Sequence, residues 1–112
     1  MTYKGWENYP TWAVNTWLDN DQATQEMVMS VVEDSITRSA VWEPVEGRIW
    51  SLEQAARFMV AYDLKAMVND DECGFLPDLG GMEGDLLGWA VQQVNWDEIA
   101  DSWISRSANQ DI

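Results

Sequence analysis

The 112-residue chain has no histidine, one cysteine, and only six lysines and arginines to set against twenty aspartates and glutamates. Each shortage excludes something. Without histidine, the usual general base at neutral pH and the commonest metal-ligating side chain are both missing. A single cysteine forms no internal disulfide and no thiolate cluster for zinc. Cys73 also stands among Asp70, Asp71, Glu72 and Asp78, whose charge disfavours a thiolate, so a structural or incidental role is expected. No apolar run approaches the length of a bilayer span, and the first residues lack the basic-then-apolar layout of a secretory signal. A soluble, cytoplasmic protein is the expectation.

Catalytic signatures are equally scarce. No G-x-S-x-G or P-loop pattern occurs. A pair of carboxylates for glycosidase-type chemistry means little among twenty, because charged residues belong overwhelmingly to solvated surfaces. Asp19 and Asp21 look like the opening of a calcium loop, but Thr24 stands where that loop needs glycine and Ser30 where it needs glutamate. The chain is expected to be no enzyme, with no cofactor and no dedicated metal.

What is present in excess is negative charge, a formal −14. Residues 1–65 hold ten acids and five bases; residues 66–112 hold ten acids and one base, Arg106. Such a polyanion is repelled by nucleic acid and by anionic membranes and is drawn to basic surfaces. Solubility alone is the plain alternative reading of the charge. Disorder does not fit, because 46% of the chain is apolar and eight residues are tryptophan.

Hydrophobic spacing predicts an all-α, compact, single-domain bundle of four to five helices spanning residues 1–112. A first helix at 11–19 follows Pro10, with Ala13, Val14, Trp17 and Leu18 on one face. Asn20 or Asp21 caps a second, striped by Met27, Val28, Val31, Val32 and Ile36 up to about Ser39, with Glu26 and Glu33 in water. Pro44 and Gly47 mark a loop from Ala40 to Trp50, which admits a short β-hairpin at 42–50. Ser51 with Gln54 forms a capping box for a third helix. Leu52, Ala55, Ala56, Met59, Val60, Met67 and Val68 line it, and Asp63 interrupts the stripe. An acidic, glycine-rich loop is expected at 69–84. Helix resumes from Asp85 with Leu86, Leu87, Ala90, Val91 and Val94. Asn95 with Glu98 offers a second capping box. There Trp96, Ile99, Ala100, Trp103 and Ile104 oppose Asp97, Glu98 and Asp101. Residues 106–112 read as a frayed tail.

Core packing is the expected use of most tryptophans, Trp17, Trp96 and Trp103 above all. Trp42 and Trp50, flanking the central loop, are candidates for partner contact. Base stacking by any of them would need a basic groove, which the composition does not supply.

The stretch Gly5-Trp6-Glu7-Asn8-Tyr9-Pro10-Thr11-Trp12-Ala13-Val14-Asn15-Thr16-Trp17-Leu18-Asp19-Asn20-Asp21 resembles the G-W-x-N-Y-x-T-W-x-V-x-x-W-L-x-N-D start of small acidic phage and plasmid proteins. Val94-Asn95-Trp96-Asp97-Glu98-Ile99-Ala100 resembles their V-N-W-x-E-I-A ending. The two stretches cover under a quarter of the chain. Mobile elements of this kind carry anti-restriction and anti-CRISPR proteins, so the resemblance implies an anti-defence role in the cytoplasm of a bacterial host. It supplies no catalytic residue.

Charge and resemblance together predict an inhibitor acting by DNA mimicry. The expected partner is a basic, DNA-binding host defence protein or complex, either a type I Cas surveillance complex or a restriction enzyme. Neither nucleic acid nor membrane is bound directly, and the aromatic excess permits a homodimer without demanding one. Carboxylates on successive helical turns lie about 5–6 Å apart, comparable to phosphates along a strand. The candidate contact residues are Asp70, Asp71, Glu72, Asp78, Glu83, Asp85, Asp97, Glu98 and Asp101. The alternative expectation is a phage or plasmid adaptor that binds a host protein through exposed aromatics.

Overall fold

Four of the five described helix starts are written in a short polar side chain. Asn8 accepts the backbone N–H of Thr11 at 3.0 Å and opens α1, Tyr9–Leu18, with Pro10 in its first turn where a missing N–H costs nothing. Asp21 does the same for Thr24 at 2.8 Å and opens α2, Gln22–Ala40. The Ser51–Gln54 box closes in both directions, at 3.1 and 3.0 Å, and opens α3, Leu52–Asn69. Gly80 precedes α4, Gly81–Gln92, with no side-chain cap. Asn95 accepts the N–H of Glu98 at 3.1 Å and opens α5, Trp96–Gln110. The computed structural model describes residues 2–42, 47, 50–69 and 80–110. The hairpin expected at 42–50 falls largely on 43–46 and 48–49, outside the described residues.

Helices α2, α3 and α5 pack on one another, and α1 lies against α2 and α5. The core between them is Val28 and Val32 of α2, Val60, Leu64 and Val68 of α3, and Ile99, Ala100 and Trp103 of α5, with Leu18 closing it from α1. Asp63, which breaks the apolar stripe of α3, is turned to use. It accepts from Ser35 Oγ at 2.6 Å and pairs with Arg38, fastening α3 to α2. Arg38 also holds Asp34 at 2.8 Å, and these two carboxylates, Asp34 first, keep its guanidinium above its ordinary pKa.

Ahead of α1, Tyr3 and Trp6 exchange both backbone hydrogen bonds, at 2.7 and 2.8 Å. Lys4 (φ 49°) and Gly5 (φ 88°) are the central residues of that turn, the left-handed pair of a type I′ hairpin turn. Glycine meets this demand at no steric cost; Lys4 meets it with its ammonium over the rings of Trp12 and Tyr3, 4.8 and 5.9 Å from their centroids.

Several expectations are corrected. Helix α4 begins at Gly81, inside the stretch read as loop, because a helix tolerates Gly84 where neighbouring residues favour the turn. Of the tail expected at 106–112, residues 106–110 continue helix α5, with Ser107 buried and Arg106 spanning to Asp19 at 2.7 Å, and 111–112 lie outside the described residues. Trp17 is 67% exposed and lies outside the core, whereas Trp96 and Trp103 are buried in it. The reason is angular. Thr11 and Leu18, seven apart, set the buried edge of α1, and Trp17 falls one step of about 100° away. Met27 and Leu52 are likewise exposed, while Leu64, left out of the expected α3 stripe, is fully buried.

Candidate functional site

The acidic residues named from the sequence separate into three groups. Asp70, Asp71, Glu72 and Asp78 lie outside the described residues. Glu83 and Asp85 stand exposed in the first two turns of α4. Asp97, Glu98 and Asp101 lie at the start of α5, and there the structure divides them. Asp97 and Asp101, one turn apart, are both exposed and face α3. Glu98 turns the other way: one of its carboxylate oxygens accepts the backbone N–H of Glu7 at 2.9 Å. It does not close the expected box with Asn95, because the Asn95 N–H is already donated to Thr11 Oγ1 at 2.9 Å.

That hydroxyl is the centre of a joint. Thr11 is fully buried; its hydroxyl also donates to Asn8 Oδ1 at 2.6 Å, and the Asn8 amide donates to the Gln93 carbonyl at 2.7 Å. Nearby, Trp103 Nε1 donates to Asn15 Oδ1 at 2.9 Å. The two stretches that carry the sequence resemblance therefore meet in space. Asn8, Thr11, Asn95 and Glu98 serve the fold there, locking the chain's beginning to its last helix.

The exposed face left over lies along α3 and α5. One groove is bordered by Glu53 of α3 and Asp101 of α5, with Leu52 and Ile104; the next, toward the start of α5, by Trp50, Gln54, Arg57, Phe58 and Asp97. Arg57 Nη1 sits 3.6 Å from Asp101, an exposed pair of the kind that contributes about 0–1 kcal/mol. Beside it runs an aromatic stair. Trp42 stacks on Phe58 with ring centroids 5.7 Å apart and planes 5° off parallel; Phe58 continues to Tyr62 at 6.4 Å, and Trp50 meets Phe58 edge-on at 5.3 Å. The sequence reading found Trp42 and Trp50 but missed Phe58 and Tyr62, although their spacing of four on one helix places them together. It also missed Glu53 and Arg57.

The cations of the described residues are largely engaged. Arg38 pairs with Asp34 and Asp63, Arg57 with Asp101, and Arg106 with Asp19 while its guanidinium lies 4.7 Å from the Trp103 ring centroid. Glu7, Glu26, Glu33, Glu53, Glu83, Asp85 and Asp97 are exposed carboxylates with no ion pair among the described residues. Asp19 and Asp21, the opening of the calcium-loop likeness, bind Arg106 and cap α2 respectively. No group of three or more potential metal ligands occurs among the described residues, and no helix there is long and apolar enough to cross a membrane.

Comparison with protein-family models, with curated proteins and with solved structures finds no match.

Proposed function

We propose that the protein is a non-enzymatic, acidic binding protein that occupies the basic, nucleic-acid-binding surface of a host defence machine, as an anti-restriction or anti-CRISPR inhibitor would. One observation carries the reading: the described arginines are spent on internal ion pairs, so a chain of charge −14 presents outward carboxylates with little to offset them. A field of that sign steers the protein onto cationic clefts and speeds association. The α3–α5 face gives the contact a shape, with Glu53, Asp97 and Asp101 along it, interrupted by Arg57 and, beyond Asp97, by the exposed Lys65. Glu83 and Asp85, with Asp70, Asp71, Glu72 and Asp78, extend the acidic set. Glu98 is withdrawn from it, because its carboxylate is engaged in the joint.

The test is phage plating on bacterial hosts that differ only in carrying an active type I CRISPR or restriction system, with and without the expressed chain. Restored plating only where the defence operates is the expected result; equal plating in every pair overturns the anti-defence reading. Within a responsive pair, Asp97→Lys combined with Asp101→Lys should abolish the effect. Full activity of that folded double variant removes the α3–α5 face from the mechanism.

A second reading, an adaptor that binds a host protein through aromatics, draws on the Trp42–Phe58–Tyr62 stair, in which Phe58 and Tyr62 are exposed and Trp42 is half-buried. It is separated by salt and by substitution: partner binding that is insensitive to added salt but lost in Phe58→Ala favours the adaptor.

A further inference from the structure

Helix α4 buries none of its residues, yet it is apolar on two sides. Met82, Leu86 and Trp89 recur at helical spacing and stand 75%, 59% and 61% exposed. Leu87, Ala90 and Val91, on the other side, are half-buried and face α1 across an open apolar cavity of about 230 Å³. The α1 wall is built by Tyr9, Ala13, Val14 and the exposed Trp17. A contiguous apolar patch on a small folded domain marks a binding surface.

The walls run antiparallel. At one end the Asn8 side chain, before α1, reaches the Gln93 carbonyl, just past α4. At the other, Trp17 and Leu18 share the cavity with Leu87. That second end lies toward Glu83, one helical turn before Leu87 on α4, and toward Asp21 beyond α1, Asp19 being paired with Arg106, while neither α1 nor α4 contains a lysine or an arginine. An occupant must therefore supply apolar side chains for the floor and positive charge for the rim. A second copy of this chain supplies the first but opposes the second, since each copy carries −14. An anionic bilayer surface is repelled for the same reason. A cationic amphipathic helix satisfies both demands, with apolar residues at i, i+3, i+4 and i+7 laid along the groove.

We propose that the α1–α4 groove docks a cationic amphipathic helical segment of a partner protein, with Trp17 and Leu87 as the apolar anchors and Glu83 holding a lysine or arginine at the rim. This goes beyond electrostatic competition on the α3–α5 face: it adds an apolar seat on a different pair of helices, whose grip outlasts the screening of exposed charges.

The experiment measures fluorescence anisotropy of labelled model peptides with the full chain at physiological salt. One peptide is a Leu/Lys amphipathic helix, one has the same composition scrambled so that no apolar face forms, and one is a Leu/Glu amphipathic helix. The Leu/Lys helix should bind at least roughly tenfold more tightly than the scramble, and the Leu/Glu helix should not bind. Trp17→Ala and Leu87→Ala should each weaken binding by roughly tenfold, as removal of a central anchor does. Asp97→Lys with Asp101→Lys, on the other face, should leave it within about threefold, its distant charges being screened. Amide chemical-shift changes on α1 and α4 in the wild-type chain give the same answer without relying on a variant. Equal binding of the scramble overturns the proposal as polyelectrolyte adsorption, and so does binding of the Leu/Glu helix or a shift map that avoids α1 and α4. A concentration-dependent dimer dispersed by Trp17→Ala overturns it in favour of a second copy. Because the phage-plating result does not depend on these peptides, failure here leaves the defence-inhibitor reading to stand or fall separately.

Discussion

Thr11 has no exposed surface, and its hydroxyl both donates to Asn8 and accepts from the backbone of Asn95. Thr11→Val keeps the shape and deletes the hydroxyl, leaving a part-buried amide without its acceptor. A loss of about 1–3 kcal/mol in urea unfolding is expected, with Thr11→Ser restoring most of it. Glu98 and Asp97, adjacent in sequence, should part company in the same measurement. Glu98→Ala frees the Glu7 amide and destabilises by roughly 0.5–1.5 kcal/mol, while Asp97→Ala, at an exposed site with no ion pair among the described residues, stays within about 0.5 kcal/mol. Asp21 gives the acid side of the stability profile a residue-level cause. The backbone N–H of Thr24, then its hydroxyl, hold the Asp21 carboxyl below its ordinary value of 3.8. A depressed folded-state pKa adds stability that is complete above the unfolded value and is lost as pH falls through the folded one. Asp21→Asn keeps a capping acceptor but cannot titrate, so acid unfolding curves should flatten below about pH 4.

At the scale of elements, the starts of α2, α3 and α5 were legible in the sequence because a cap is a local contract between residues three apart, whereas α1 opens two residues earlier than expected, at the Asn8 cap, and α4 four residues earlier, at Gly81. Asp21, the Ser51–Gln54 box and Asn95 all act as their spacing implies. Where the reading failed, a distant partner had intervened. Glu98 would complete its box, but the Asn95 amide is claimed by Thr11 from across the chain and Glu98 by Glu7, 91 residues away. Trp17 failed differently: periodicity gives the width of an apolar stripe but not which edge meets the core. Leu64 was recoverable, since it stands four residues from both Val60 and Val68. Helix α4 is the element with least support, having no side-chain cap and no buried residue. Its amides should exchange with solvent at a lower free energy than those of α3 and α5. Gly88 has nothing within 4 Å of where a Cβ would sit, so Gly88→Ala should raise the protection of α4 by up to about 1 kcal/mol.

For the molecule as a whole, the sign of the charge was legible from composition, but its arrangement was not. Which carboxylates are consumed by Arg38, Arg57 and Arg106 depends on helices that meet only after folding. The consequence is a pair of opposite salt effects. Self-repulsion at −14 is relieved by screening, so the thermal midpoint should rise from low to physiological ionic strength. Capture of a cationic partner through the α3–α5 face should weaken over the same range. Both are read by titrating sodium chloride, in a melting experiment and in a binding experiment; a midpoint that falls with salt would show that internal ion pairs outweigh the repulsion.

The joint between α1 and α5 also ties together two segments that lie far apart along the chain. Beyond its packing on α2, α1 and the turn before it are seated by groups of Gln93, Asn95, Glu98 and Trp103, so neither side of the seam can open without stripping the other of partners. Amides of α1 and of the first turns of α5 should therefore exchange with solvent at one shared free energy, and Thr11→Val should lower both by the same amount. A single hydroxyl would thus set the cooperativity of two remote stretches.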